Sequence, residues 1–367
     1  MGRGPRSASR GPDSRAVLPG GRSLVLAVDL GGTRLRVAAV ASDGSVLHRR
    51  VLPSPLASGP AVVVETCASA LWAVREQVLA AGRSDRVVAL AVAAPGPLDS
   101  RAGVFLDPPN LVPAFRGFAL ATEVGEALGL PAVLERDTHV AALAERAFGA
   151  ARGVDDFLYL TVSTGCGGAI VSRGELLTGV DGTAGELGHL PVELDGPLCG
   201  CGGRGHLETL VSGIGLGRAA EEAVAAGTSP MLAQLAQRAA PHSLSGRDVA
   251  EAEEAGDPAA HGILEHARRA FASAIVGLVD VFNPSLIVVG GGVALGQGDR
   301  LLGPARRLVA AQAFQAPASR VAILPAALGD DVGLAGAIPL VAARLPGVLE
   351  SNLTSGSTAR GGRSSRS

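Results

Sequence analysis

The stretch Leu24-Val-Leu-Ala-Val-Asp-Leu30-Gly31-Gly32-Thr33-Arg34-Leu-Arg-Val-Ala-Ala-Val40 decides how the rest of the chain is read. Two apolar runs, Leu24 to Leu30 and Arg34 to Ser42, flank a Gly31-Gly32 turn. Asp43-Gly44 then signals a hairpin, and Val46 to Leu52 is a third strand. The same plan returns in the second half. Phe157 to Ser163 reads as a strand, Thr164-Gly165-Cys166-Gly167-Gly168 as a glycine turn, and Ala169 to Ser172 as the returning strand. This echo between 24–51 and 157–178 predicts two similar domains facing each other across a cleft.

Working outward, residues 60–81 carry helical periodicity closed by Gly82, and Val87 to Ala93 is a buried strand running into Pro95-Gly96-Pro97. Phe118 to Leu128 reads as a helix, Ala132 to Glu135 as a strand, and His139 to Phe148 as a helix closed by Gly149. Later helices include a long one from about 257 to 282. Strand Leu286 to Val289, the turn Gly290-Gly291-Gly292, a helix, strand Arg320 to Leu324 and a terminal helix near 331–345 complete the chain. Strands alternating with helices argue an α/β fold. The expected division is 23–137, then 138–330, with 331–347 returning to the first domain. The two halves meet near 130–140, where chemistry is expected. Residues 1–22 and 348–367, rich in Arg, Gly and Ser, read as disordered tails.

Composition narrows the function. Of 367 residues, 47% are hydrophobic and 18% charged, which is globular, and no apolar run approaches the ~18 residues of a membrane helix. The chain has no lysine, so its 32 Lys and Arg positions are all arginine. A GC-rich genome explains that bias, and it argues against a P-loop ATPase, whose motif needs a lysine on the phosphates. The net charge of −2 points to neither nucleic acid nor an anionic membrane as partner. Four cysteines, with Cys67 in a helical pattern that suits a core position, fit a reducing cytoplasm.

The densest chemistry lies at Gly185-Glu186-Leu187-Gly188-His189, followed by Cys199-Gly200-Cys201-Gly202-Gly203-Arg204-Gly205-His206-Leu207-Glu208. His189, Cys199, Cys201 and His206 make a four-ligand N/S set in a loop too glycine-rich for a helix. Four such ligands suit structural tetrahedral zinc and leave no open position. Loop residues brought together by chance are the plain alternative. The spacing H-x9-C-x-C-x4-H matches neither nucleic-acid finger pattern. Two carboxylates, Glu186 and Glu208, stand beside the ligands.

Asp29-Leu-Gly31-Gly32-Thr33 lets backbone amides approach an anion, with Thr33 adding a hydroxyl and Asp29 suited to hold Mg²⁺ or its water. Taken alone the residues also suit a plain tight turn. Thr164-Gly165 makes a matching nest in the second half. Gly290-Gly291-Gly292 follows a buried strand where a nucleotide could lie flat. Together the three turns are what two half-sites closing on a nucleotide need.

These motifs, with Pro95-Gly-Pro97 and Glu135-Arg-Asp137, resemble those of the ROK family in its order, over about 23–345. That family comprises sugar kinases and sugar-responsive repressors of the actin/hexokinase-like superfamily. The resemblance implies two ribonuclease-H-like domains around a cleft, with a zinc loop, and ATP-dependent phosphorylation of a hexose or N-acetylamino-hexose, glucose first. It makes Asp137 the catalytic base; taken alone, this carboxylate also suits a helix N-cap. By the same resemblance Asn110, Glu186, His189 and Glu208 contact the sugar. Asp29, Gly31, Gly32, Thr33, Thr164, Gly165 and Gly290 to Gly292 hold Mg²⁺ and ATP. The implied partners are sugar and ATP; charge and composition argue against nucleic acid and membrane, cysteine usage fits the cytoplasm, and a homodimer or higher homo-oligomer is the default expectation.

The chain departs from the family pattern in several places. Most members with this loop carry Cys where His206 stands; imidazole also binds zinc. Arg136 replaces an Asn before the base and is counted with the substrate-binding residues, a longer donor that either reaches the substrate or turns out of the cleft. His139 replaces another Asn, and Ser163 and Ala169 replace glycines. Arg136 and His139 motivate a second reading, a sugar-binding protein with weakened turnover. A repressor is disfavoured, because 22 residues before the first strand are too few for a helix-turn-helix domain. Polyphosphate is an alternative donor, although Gly290-Gly291-Gly292 favours a nucleotide.

Overall fold

A computed structural model of the chain describes residues 22–81, 85–106 and 111–349. Gly82, Asn110 and most of both expected tails lie outside the described residues. The first sheet opens with β1 (Ser23–Leu30), β2 (Arg34–Ala41) and β3 (Val46–Pro53), an antiparallel meander. Helix α1 (Pro60–Ala80), β4 (Arg86–Ala94), the small ribbon β5 (Leu98–Asp99) and β6 (Val104–Phe105), and α2 (Leu120–Leu128) follow, then β7 (Ala132–Arg136). The order is β3-β2-β1-β4-β7, with β4 parallel to both β1 and β7.

Helix α3 (Asp137–Phe148) leads to the second sheet: β8 (Phe157–Val162), β9 (Cys166–Ser172) and β10 (Glu175–Leu176). Then come α4 (Leu207–Val211), α5 (Gly213–Ala225), α6 (Pro230–Ala239), α7 (Gly246–Glu254) and α8 (Pro258–Phe282). β11 (Leu286–Gly290), α9 (Gly292–Gln297), α10 (Asp299–Gln312), α11 (Gln315–Ala318), β12 (Ala322–Pro325), α12 (Val332–Ala335) and α13 (Ala337–Arg344) end it. The order β10-β9-β8-β11-β12 repeats the first sheet strand for strand, an antiparallel meander extended by two parallel strands. The repeat anticipated from the two glycine hairpins is therefore present at the level of topology.

Central strands buried on both faces explain the unbroken apolar runs. Leu24, Leu26, Val28 and Leu30 pack with α1 and α2, while Val25 and Ala27 pack with Leu334, Ile338 and Val341 of the terminal helices. In the second sheet Leu158, Leu160 and Val162 face α8, and Phe157 and Tyr159 face Ala141 and Ala142 of α3. Helix α3 thus contributes Val140 to the first sheet's cluster and Ala141 and Ala142 to the second's. Its N-terminus, and with it Asp137, is held where the two sheets meet. Buried Glu145 fixes the far end by accepting from Ala150 N (2.6 Å), Ala327 N (2.9 Å) and Leu328 N (3.0 Å).

The terminal helix expected near 331–345 is two helices, α12 and α13. Pro339 has no N–H to donate to the carbonyl of Ala335, so a continuous ladder fails there. The long helix starts where expected: Asp257 caps it by accepting from Ala260 N at 2.9 Å. Among the described residues no helix is long and apolar enough to cross a membrane. Cys67 lies in the core, where burial pushes its thiol up to about 12.

Candidate functional site

Asp137 is the first residue of α3; the N-cap position belongs to Arg136, whose side chain makes no cap. The extended β7 therefore turns directly into helix at the carboxylate. Asp137 Oδ1 accepts from Thr138 N at 2.7 Å. Desolvation by burial is the main force on this carboxyl, and the charge of Asp29 adds to it. The Thr138 N–H and the Arg136 guanidinium pull the other way, Glu186 pushes up, and the result is about 6. A carboxylate that titrates near neutrality suits a general base.

Asp29 is the penultimate residue of β1, with Leu30 between it and the Gly31-Gly32-Thr33 turn, where Gly31 N bonds Arg34 O at 2.9 Å. Gly32 and Thr33 are exposed, as an anion nest requires. Burial raises the Asp29 carboxyl, opposed by Arg36, whose Nη1 donates to Oδ2 at 3.0 Å. Asp330 adds a further upward push. Gly333 of α12 is needed here: a Cβ on it would lie 2.6 Å from the Asp29 carboxyl carbon. Arg36, Asp330 and Gly333 escaped the sequence reading. The alternation of β2 places Arg36 opposite Asp29, a register signal that was available.

The second nest is the β8–β9 turn. Ser163 O accepts from Gly213 N (2.7 Å) and Thr164 O from Ile214 N (3.2 Å), so α5 begins against it. Gly291, at φ +90°, closes on the same turn: a Cβ there would lie 2.4 Å from Val162 O. The structure thus brings Thr164, Gly165 and Gly290 to Gly292 together, and adds Gly213 and Ile214, which the sequence reading missed. Cys166 N donates to Glu208 Oε2 at 2.9 Å, joining this turn to the cysteine loop.

The loop is shaped by close backbone contacts. The helical turn Leu187–His189 lies on β9, and a Cβ on Gly188 would stand 1.8 Å from Cys166 O. Short bridges pair Pro191 with His206 and Leu198 with Arg204. The ligand atoms of His189, Cys199, Cys201 and His206 all lie within 4.8 Å of one another. His189 Nδ1 is 3.3 Å from His206 Nδ1 and 3.6 Å from Cys199 Sγ; Cys201 Sγ is 3.3 Å from His206 Nδ1. Metal–ligand bonds of about 2.0 Å to N and 2.3 Å to S at tetrahedral angles give edges of roughly 3.3–3.8 Å. The four side chains fit a metal ion. Both imidazoles turn Nδ1 inward, which leaves His189 Nε2 for another partner. His206 is also the N-cap of α4, so the same cluster places Glu208 in that helix's first turn.

Arg136 turns into the protein, not out of the site: its side chain is 2% exposed and its Nη2 stands 3.1 Å from Glu186 Oε1. His139 is fully buried, with Nδ1 3.0 Å from Glu135 Oε1.

Comparison with known proteins gives the family. The model of the ROK family matches residues 25–344. A glucokinase of Thermotoga maritima is 31% identical over 323 residues, 88% of this chain and 98% of the relative. An N-acetylmannosamine kinase of Citrobacter koseri is 33% identical over 313 residues, 85% of this chain and 96% of its own length. The crystal structure of a ROK family glucokinase from Streptomyces griseus, in complex with glucose and AMPPNP, superposes with a TM-score of 0.72. It is 31% identical and covers 86% of this chain and 98% of its own. On the family match over most of its length, this chain belongs to the ROK family.

Proposed function

We propose that this chain is an ATP-dependent sugar kinase that transfers the γ-phosphate to a hydroxyl of a hexose or N-acetylamino-hexose, with glucose the first acceptor to test. The observation that carries the reading is the Asp137 carboxyl, raised to about 6 at the N-terminus of the helix shared by both sheets. In the reaction Asp137 accepts the proton of the attacking hydroxyl. General-base help of this kind contributes roughly 10²–10⁴-fold, and in-line positioning supplies much of the rest. Glu186, Glu208 and His189 Nε2 orient the sugar, and Asn110 is a further candidate contact. The turns at Gly31 to Thr33, Thr164-Gly165 and Gly290 to Gly292 receive the phosphates and nucleotide.

Zinc is the metal we assign to His189, Cys199, Cys201 and His206, since two thiolates and two imidazoles without an open position suit it as a structural ion. Its contribution is to fix the His189 ring and the start of α4. Asp29 is the residue we assign to Mg²⁺, which neutralises phosphate charge when bound; Asp29 Oδ1 has no hydrogen bond among the described residues. We take 23–137 and 138–330, with 331–347 returning to the first, as the bodies that close on the substrates, in a cytoplasmic homo-oligomer.

A coupled ADP-release screen across hexoses and acetylated amino sugars, with ATP and polyphosphate as donors, tests the reading. Sugar-dependent ADP release supports it. Tight sugar binding with no turnover would favour the alternative of a sugar-binding protein with weakened turnover.

A further inference from the structure

Arg136 stands immediately before the base, nearly inaccessible to water, and its permanent charge must be answered by protein acceptors. Nη1 donates to Ala184 O at 2.9 Å, and Nη2 lies 3.4 Å from Gly168 O and 3.5 Å from Thr138 Oγ1. The same Nη2 is paired with Glu186 Oε1. Behind it the stem lies on Gly96, where a Cβ would be 3.4 Å from Cγ, Cδ and Nε. The main-chain N donates to Glu135 Oε1 at 3.0 Å. Glu135 in turn is held by His139 and by Arg344 of α13, the latter at 2.7 Å. Residue 136 is thus clamped at its root, while its head reaches across to the loop carrying Glu186. Glu186 is 34% exposed, and its Oε2 has no hydrogen bond among the described residues.

We infer that Arg136 is a positioning residue of the sugar pocket: it ties the Ala184–Glu186 loop to the strand that delivers Asp137, and it holds Glu186 Oε1 so that Oε2 alone meets the sugar. The inference rests on reading this pocket as the sugar site. Two ordinary alternatives fail on the geometry. An arginine that contacted substrate would present its guanidinium to the pocket, and this one is turned onto carbonyls. An arginine serving only as core filler would not be paired with a half-exposed carboxylate.

The arrangement also sets the charge around Asp137. Asp29 from β1 and Glu186 from the loop face it with negative charge, Arg136 with positive charge, and the Tyr159 hydroxyl of β8 lies within its field. Removing the guanidinium takes away a stabiliser of ionised Asp137 and leaves Glu186 uncompensated. Both changes push the base to higher pKa.

Arg136→Met and Arg136→Lys test the inference by calorimetric titration with the sugar panel, separate titration with a non-hydrolysable ATP analogue, and the pH profile of kcat/KM. Arg136→Met should weaken sugar binding about tenfold or more, as loss of a charge-assisted contact does, with nucleotide affinity within about twofold. Its acid limb should move to higher pH. Arg136→Lys should keep the limb in place but recover only part of the sugar affinity, because one ammonium cannot span Ala184 O and Glu186 together. Sugar and nucleotide affinity falling in step with the melting temperature would overturn the inference, as would unchanged sugar affinity in both variants. If wild-type protein binds sugar without turnover, the binding arm still decides. If no sugar titrates the wild type, the functional reading itself fails and takes this inference with it.

Discussion

Lowering the pH from 7 to 5 is expected to cost about tenfold in kcat/KM for the sugar, over a range where an ordinary aspartate stays ionised. Asp137 carries the effect. Burial and the neighbouring Asp29 charge raise it to about 6, against the help of Thr138 N–H and Arg136. A base must be deprotonated to act, so activity is present above this value and is lost as the pH falls through it. The ionised fraction is roughly 0.9 at pH 7, 0.5 at pH 6 and 0.1 at pH 5, whereas an unperturbed aspartate would still be about 0.9 ionised at pH 5. The assay is initial-rate ADP release at saturating ATP and constant ionic strength, with metal content checked at each pH because thiolate ligands protonate in acid. A profile flat from pH 7 to 5, with its acid limb near 4, would refute the assignment of a raised base.

Removing the metal with a chelator should weaken sugar binding by about tenfold while nucleotide binding changes little, because the cluster fixes His189 and the first turn of α4; equal losses would mean that the loop merely holds the fold. Elemental analysis should find one ion per chain, lost in Cys201→Ser. Gly188→Ala drives a Cβ into Cys166 O and should destabilise by about 3 kcal/mol or more, read from denaturant melts; a neutral result would contradict the packing of this turn. Glu145→Ala strands three backbone N–H groups and should cost about 3 kcal/mol or more, with early loss of the segment around Ala327 in hydrogen exchange.

Much of the fold was legible because both sheets are built on runs buried on two faces, each broken by a glycine turn. Leu24 to Leu30 and Phe157 to Val162 announce themselves in that way, and the topology repeats as their echo implied. Local chemistry was legible too: the spacing of His189, Cys199, Cys201 and His206 anticipated a cluster whose ligand atoms meet. What escaped depends on register and on long-range approach. Arg36 meets Asp29 only through strand pairing. Asp330 and Gly333 reach the same carboxylate from some three hundred residues away. The sequence reading left Arg136 with two destinations, the substrate or the outside of the cleft. It took neither, because Ala184 O, Gly168 O and Glu186 offer acceptors that no sequence window reveals. The terminal helix was read as one because periodicity runs through Gly336 and Pro339, although the missing proline N–H breaks it.

The most direct test of the account is the Asp137→Asn variant assayed beside wild type for sugar-dependent ADP release and for sugar binding. The account predicts that wild type turns over and that the variant loses about 10²-fold or more in kcat, while sugar affinity and the melting temperature stay close to wild type. Undiminished turnover in the variant would contradict it.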